Sequence, residues 1–303
     1  MKNIIVSASL IRVSDDHILD LFVGDDESGK PCIVLFTNNT PTNSDVLKLK
    51  SSKAIEVKIR QRTDGLYSVT FSLCIPSMFD LFGIFVNDLT ESSSRIASEQ
   101  YGLAFIARRY AAWKDMFEKH GGQKLTLSEV KGLIGELLFL RDFMLAKYGY
   151  ESAVSAWIGP EGADQDFRIN KTWYEVKSTV SGNKTIKISS IEQLDSPDVG
   201  FLVLMFLDKT SINDSHSVTL NSIVNSIKTI LADEGCQEIF EEKLLRYGYF
   251  HLEEYDKYCF SFSRMVRFRV DDSFPALRRK DIKFGEIVNA EYLIETGSIP
   301  ETK

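Results

Sequence analysis

In Gly162-Ala-Asp-Gln-Asp166-Phe-Arg-Ile-Asn-Lys-Thr-Trp-Tyr-Glu175-Val-Lys177-Ser178, two short segments alternate apolar and polar side chains. Phe167 and Ile169 alternate with Asp166 and Arg168. Tyr174 and Val176 alternate with Trp173, Glu175 and Lys177. A period of two is that of a β-strand. Asn170-Lys171 between them fits a two-residue turn, because asparagine tolerates positive φ. The turn sets a register: Ile169 opposite Thr172, Arg168 opposite Trp173, Phe167 opposite Tyr174. Asp166 then falls opposite Glu175 on one face of the pair, with Lys177 two positions further on.

Directly opposed carboxylates repel and weaken a strand pair. A hard divalent cation reverses that sign, because Mg²⁺ and Mn²⁺ take oxygen ligands. The expectation is therefore that Asp166 and Glu175 hold Mg²⁺, with Mn²⁺ able to substitute, against a phosphodiester. Metal polarises the phosphoryl oxygen, generates hydroxide and steadies the leaving oxygen. Lys177 would orient or help deprotonate the attacking water and offset charge on phosphorus. The plain alternative is a strand pair with a Glu–Lys surface face, since Asp…Glu-x-Lys alone is short and degenerate.

Upstream, Leu125-Thr-Leu-Ser-Glu-Val-Lys-Gly-Leu-Ile-Gly-Glu136-Leu-Leu-Phe-Leu begins with a capping-box pair, Thr126 and Glu129. Leu133, Leu137 and Leu140 recur at helical spacing, and Glu136 borders their face. A carboxylate there needs a partner. It is either Lys131 or Arg141, or a site that Glu136 joins as a third carboxylate. Gly132 and Gly135 would let the helix approach the sheet closely. Downstream, Thr185–Ser190 alternates as a strand, Ile191-Glu-Gln193-Leu starts a short helix, and Gly200–Leu207 is a continuous apolar run. Such a run fits a strand buried on both faces. The order helix, hairpin, strand, helix, buried strand predicts an α/β layer with the acids at one sheet edge.

Gly-Leu-Ile-Gly-Glu136-Leu-Leu-Phe-Leu, Trp157-Ile-Gly-Pro160, Asp166-Phe, Tyr-Glu175-Val-Lys177-Ser and Ile-Ser-Ser190-Ile-Glu-Gln193-Leu resemble the PD-(D/E)XK nuclease superfamily. More narrowly they resemble a branch found near bacterial phage-defence and restriction-like genes. The likeness is centred on residues 125–207 and weaker in both flanks. It implies a restriction-endonuclease-like core, a mixed sheet flanked by helices. It matches Asp166 to the first acid, Glu175 to the second, Lys177 to the lysine and Glu136 to the helix carboxylate. Gln193 falls where members place a polar site-lining residue, and Val176 joins Asp166, Glu175 and Glu136 in the metal set. One departure stands out: Gln165 precedes Asp166, where the superfamily's name has proline. The implied activity is a Mg²⁺-dependent deoxyribonuclease in an anti-phage or restriction-like system. The alternative is an inactive nuclease-fold subunit in DNA binding or complex assembly. Implied partners are DNA and defence proteins including an ATPase or helicase, with a homodimer as one arrangement for double-strand cutting.

At 303 residues, 44% apolar and 26% charged, the composition is that of a globular protein. No run is long and apolar enough to span a membrane. Residues 1–12 read as a strand or short helix rather than a signal peptide. Cys32, Cys74, Cys236 and Cys259 lack metal or redox spacing, so reduced thiols and a cytoplasmic location are expected. His17, His120, His216 and His251 are equally scattered. The net charge of −7 is low for a protein that binds DNA unaided, since phosphate contacts need Lys and Arg. Local patches decide such binding; candidates are Lys184/Lys187, Arg264/Arg267/Arg269 and Arg278-Arg-Lys280. Gly24-Asp-Asp-Glu-Ser-Gly-Lys30-Pro31 nearly matches a P-loop. It has Pro31 in place of Ser/Thr, three acids that repel phosphate, and a strand after it, so it reads as a hairpin turn.

Three regions are expected. Residues 1–120 are β-rich, with strands at Leu19–Val23, Cys32–Phe36, Ala54–Ile59 and Tyr67–Ile75. They end in a long helix over Ser92–Lys119, closed by Gly121-Gly122. Residues 121–210 carry the nuclease core. Residues 211–303 form an α+β extension: helix over Val218–Tyr247 interrupted near Gly235, strand over Tyr258–Val270 bulged near Ser263–Met265, and a last strand at Ile287–Ile294.

Overall fold

A computed structural model describes residues 10–120, 123–231 and 233–302. Contacts divide the chain into two compact units, 1–124 and 125–303. Residues 1–9 and the Gly121-Gly122 stop lie outside the described residues.

The first unit holds an antiparallel sheet of β1 (Leu10–Arg12), β2 (Asp20–Asp25), β3 (Pro31–Thr37), β4 (Ile55–Gln61) and β5 (Tyr67–Leu73), in the order β1-β2-β3-β5-β4. Between β3 and β4 lies α1 (Asn43–Lys48), capped by Thr42 and Asp45. The P-loop look-alike is indeed a hairpin: Gly24 pairs with Cys32, and Asp26 N–H donates to the Lys30 carbonyl. Two helices follow, α2 (Phe79–Ser93) and α3 (Gly102–His120), where one was expected. The run Phe79-Asp-Leu-Phe-Gly-Ile-Phe-Val is apolar on so many positions that its period is hidden. Only packing singles out Leu81, Phe82, Phe85 and Leu89 as the buried face. The core of this unit is aromatic, with Phe85 edge-on to Phe71 and Trp113.

In the second unit α4 (Leu127–Phe139) starts at the Thr126/Glu129 capping box. It runs through a π-helical turn, Leu140–Met144, into α5 (Leu145–Tyr148), and α6 (Tyr150–Ala156) follows. The hairpin is β6 (Phe167–Ile169) and β7 (Thr172–Thr179), in the expected register, with Asn170 at φ 53° in the turn. Then come β8 (Thr185–Ile188), β9 (Val199–Lys209), β10 (Ser217–Val218), α7 (Leu220–Ile230), α8 (Glu234–Tyr247), β11 (Phe260–Val270) and β12 (Tyr292–Glu295). The main sheet runs β10-β11-β9-β7-β6, with β7 parallel to β9 and the other pairs antiparallel. β8 and β12 form a separate two-stranded sheet. The chain is therefore a mixed α/β protein.

β9 is apolar from Gly200 to Leu207 because both its faces are covered there. Val203 and Met205 pack with Leu133, Leu137 and Val224, whereas Leu202 and Leu204 pack with Ile186, Ile188 and Ile294. The interruption expected near Gly235 falls just before it, where Asp233 caps α8 by accepting from Cys236 N–H. The bulge in β11 lies between Phe262 and Arg264, as the phase shift predicts. The last strand is shorter than expected, and Ile191–Leu194 is a tight turn rather than a helix.

Gly200 is where β9 passes beneath Trp173. A Cβ there would stand 1.9 Å from Cζ2 of the fully buried indole. Gly200→Ala is expected to cost about 1–3 kcal/mol, the usual range for overpacking. A lowered urea midpoint checks this; an unchanged midpoint would mean the indole can move aside.

Candidate active site

Four elements bring the predicted side chains together: α4, the loop entering β6, β7, and the turn after β8. Burial and hydrogen bonds fix each one.

Asp166 stands one position beyond the β6–β7 ladder. Its main-chain carbonyl accepts from Ile158 N–H (2.9 Å) and Gly159 N–H (3.0 Å), which draws it out of strand pairing. Its Oδ2 accepts from the main-chain N–H of Val176 at 2.7 Å. The opposition to Glu175 expected from the register is thus realised through side chains, not as a ladder pair. Gly159 crosses close above: a Cβ there would lie 3.1 Å from Asp166 Oδ1 and 3.6 Å from Glu136 Oε2.

Glu175 is 1% exposed. One oxygen, Oε1, meets Lys177 Nζ at 2.7 Å, and the other, Oε2, is buried with no hydrogen-bond partner. Lys177 Nζ also donates to Gln193 Oε1 at 3.2 Å, and the same oxygen accepts from Ser189 N–H at 2.9 Å. The Ile191–Leu194 turn thereby presents Gln193 to Lys177.

Glu136 is buried on α4, and the neutralising partners considered from sequence do not account for it. Arg141 pairs with Asp142. Trp157 Nε1–H donates to Glu136 Oε2 at 2.8 Å, and the Tyr247 hydroxyl supplies a second donor. The two rings stack on each other, 6.4 Å between centroids. Gly135 brings α4 onto β7: a Cβ there would fall 2.0 Å from Ser178 Oγ. Gly132 has no such constraint, its nearest neighbour being the Tyr247 hydroxyl at 3.6 Å.

The electrostatics follow from three carboxylates around one amine in a dry site. Burial, then the charge of Asp166, pushes Glu175 up to about 8. Burial pushes Asp166 up to about 6, with Lys177 and the Val176 N–H pulling it back. Burial, then Asp166, holds Glu136 well above the ordinary carboxylate range. Burial alone would lower Lys177, but Glu175, Asp166 and Glu136 together raise it, so the amine is charged.

A divalent cation fits this donor set. Glu175 Oε2 is an unpartnered buried oxygen, and Asp166 lies beside it. In a strand the N–H and C=O of one residue point to the same side, so the Val176 carbonyl faces the edge on which Asp166 binds the Val176 N–H. Among the described residues no three His, Cys, Asp or Glu side chains group to hold a metal by themselves. That is compatible with Mg²⁺, which takes one or two carboxylates and completes its shell with water and substrate phosphate.

A family model described as "Putative PD-(D/E)XK family member, (DUF4420)" matches residues 6–297. The chain belongs to this family. No curated protein and no solved structure matches it. The family model spans both compact units, so the PD-(D/E)XK family assignment covers nearly the whole chain and not only the segment around the hairpin.

Sequence reasoning missed Tyr247, Gln165 and the donor role of Trp157. Tyr247 lies on α8 with no motif around it. Gln165 showed only as a departure from proline, yet it is buried, donating from Nε2 to the Glu192 carbonyl at 2.7 Å. The basic patches are largely spent on acids. Lys187 pairs with Glu291, Arg264 with Glu301, Arg279 with Glu192 and Lys280 with Asp272. Arg267 lies over the Phe143 ring. All four cysteines are free. Among the described residues no helix is long and apolar enough to cross a membrane.

Proposed function

We propose that this chain is a divalent-metal-dependent endonuclease that hydrolyses phosphodiester bonds in DNA, with a restriction-endonuclease-like core. The observation that carries the reading is the partnerless buried Oε2 of Glu175, beside Asp166 and a charged lysine. An uncompensated buried carboxylate oxygen is costly as plain structure. It is expected where a cation completes the site.

Asp166, Glu175 and the Val176 carbonyl would hold Mg²⁺ or Mn²⁺, with Glu136 as the helix carboxylate of the same set. When bound, the metal supplies Lewis acidity at the phosphoryl oxygen and lowers the pKa of its water. Lys177 is already protonated, so its part is to donate: it orients the attacking water and offsets charge growing on phosphorus. Glu175 Oε1 and Gln193 Oε1 restrict where that amine points. Trp157 and Tyr247 fix the Glu136 carboxylate so that it faces Asp166 and does not rotate away.

The test is cleavage of supercoiled plasmid by the pure protein with Mg²⁺ or Mn²⁺ and with chelator. Nicking or linearisation that chelator stops supports the reading. The second reading, a nuclease-fold subunit that assembles on DNA without cutting, draws support from the net charge of −7 and the neutralised basic side chains. The same features favour delivery of DNA by a partner, and the sequence resemblance suggests a defence-system ATPase or helicase in a cytoplasmic anti-phage assembly for that part. Calorimetry separates the two. A metal enzyme takes up Mn²⁺ at Asp166 and Glu175 with proton release, more tightly at pH 8 than at pH 6, because the cation must displace the Glu175 proton. A wild type that binds no Mn²⁺ would sink the enzyme reading.

A further inference from the structure

The turn Ile191–Leu194 carries Gln193 to Lys177, and it is gripped from two sides by residues outside the site. On the inner side is Gln165, the residue just before Asp166. Its Nε2 donates to the Glu192 carbonyl at 2.7 Å, and its Oε1 accepts from Arg168 NH2 at 2.8 Å. Arg168 is anchored in turn by Asp198, at 2.8 Å. The amide is thus locked at both ends in a buried setting, so it cannot rotate without losing a bond. On the outer side is Arg279. Its Nε and NH2 both reach Glu192 Oε1, at 2.9 and 2.5 Å, and its main-chain N–H donates to Asp195 Oδ2 at 2.9 Å. Its NH1 donates to the Ile287 carbonyl at 2.9 Å.

These contacts form one line through the structure. The chain that places Asp166 also holds Glu192, and the next residue, Gln193, holds Lys177. The acid arm and the amine arm of the site are connected through Gln165, not only through the hairpin. Proline before an acid would stiffen the chain by fixing its own φ but could make no side-chain hydrogen bond to the turn.

We propose that Gln165 and Arg279 are positioning residues that hold the Ile191–Leu194 turn, one at the Glu192 carbonyl and one at the Glu192 carboxylate and Asp195, and, through Gln193, set the Lys177 amine against Glu175. The catalytic consequence rests on the nuclease reading above; the positioning itself does not. Neither side chain touches the reacting atoms. Each acts by restricting where the Lys177 amine can be, and misplacement of about 1 Å costs up to about 100-fold in rate.

The experiment uses the full chain with Gln165→Leu and Arg279→Ala. Two readouts are taken. The first is the ¹⁵N signal of the Lys177 ammonium in metal-free protein at low temperature, assigned by its loss in Lys177→Arg. A hydrogen-bonded, ordered amine gives a resolved signal. The second is steady-state cleavage of plasmid, with Mn²⁺ affinity measured in parallel. Wild type is expected to show the ammonium signal, and both variants to lose or shift it. Both variants should show kcat lowered about 10- to 100-fold, with KM and Mn²⁺ affinity within about 2-fold. A purely structural role would instead lower melting temperature, metal affinity and activity together, and that result overturns the proposal. So does an unchanged signal in both variants, or its absence in wild type. If Gln165→Leu does not fold, Arg279→Ala decides, because its side chain is 44% exposed and its loss leaves no buried cavity. If wild type neither binds Mn²⁺ nor cuts DNA while both variants lose the signal, the positioning stands and the nuclease reading fails.

Discussion

Lys177→Ala is expected to abolish plasmid cleavage, lowering the rate by at least about 10³-fold, while the protein stays folded. Removing one preorganised donor from a transition-state site costs about 10²–10³ in kcat, and this amine has a second part. It is the cation that the site sets among Glu175, Asp166 and Glu136. Without it the three buried carboxyls lose the charge that holds Glu175 and Asp166 down, so they keep their protons more tightly and are poorer ligands. Asp166→Asn should be as damaging to cleavage, through loss of a proposed metal ligand and weakening of the Val176 bond. Circular dichroism and melting of the same samples separate loss of chemistry from loss of fold. A Lys177→Ala protein that cuts at the wild-type rate would remove this lysine from the mechanism.

The second large effect is on stability and has the opposite sign. Glu175→Gln is expected to stabilise the metal-free protein above neutral pH. The folded-state pKa of Glu175 is about 8, above its ordinary value of 4.5. A carboxyl whose pKa is raised on folding binds its proton more tightly in the folded state. Its stability is fully present below pH 4.5 and is lost as pH rises through 8. Glutamine imitates the protonated form and does not ionise. The variant should match wild type near pH 4.5 and exceed it near pH 9 by an amount on the order of a few kcal/mol. Lys177 would still have Gln193 and the charge of Asp166. Saturating Mn²⁺ should reverse the order, because only wild type gains a ligand that binds the folded state. Thermal melts across pH, with and without metal, check both halves. A gap that did not change with pH would mean that Glu175 is ionised in the metal-free fold.

The hairpin was legible because its information is local. Asn170-Lys171 names the turn, the turn fixes the register, and a period of two assigns the faces, so Phe167 could be placed opposite Tyr174 from sequence alone. Glu136, Glu175, Lys177 and Gln193 were legible as a set, and the fold brings them together. What carried no signal was long-range. Tyr247 reaches Glu136 from a helix that follows the hairpin only after three further strands, and Arg279 reaches Glu192 from the last part of the chain. Nothing near either residue marks it. Helix α2 was missed for another reason: Phe79–Val86 has too many apolar residues for a period to show, so only burial distinguishes its inner face.

The pairing of β9 with β11 bears on how the protein is made. β9 is complete at Lys209, but the strand that covers its long edge begins at Phe260, about 50 residues later in the chain. At a synthesis rate of about 5–20 residues per second, the most apolar segment of the molecule waits several seconds with an open edge. Through that interval the strand is a template for any neighbouring nascent chain. The slow, exposed moment in this protein's life therefore precedes its chemistry: it is the gap between writing one strand and writing the partner that closes it.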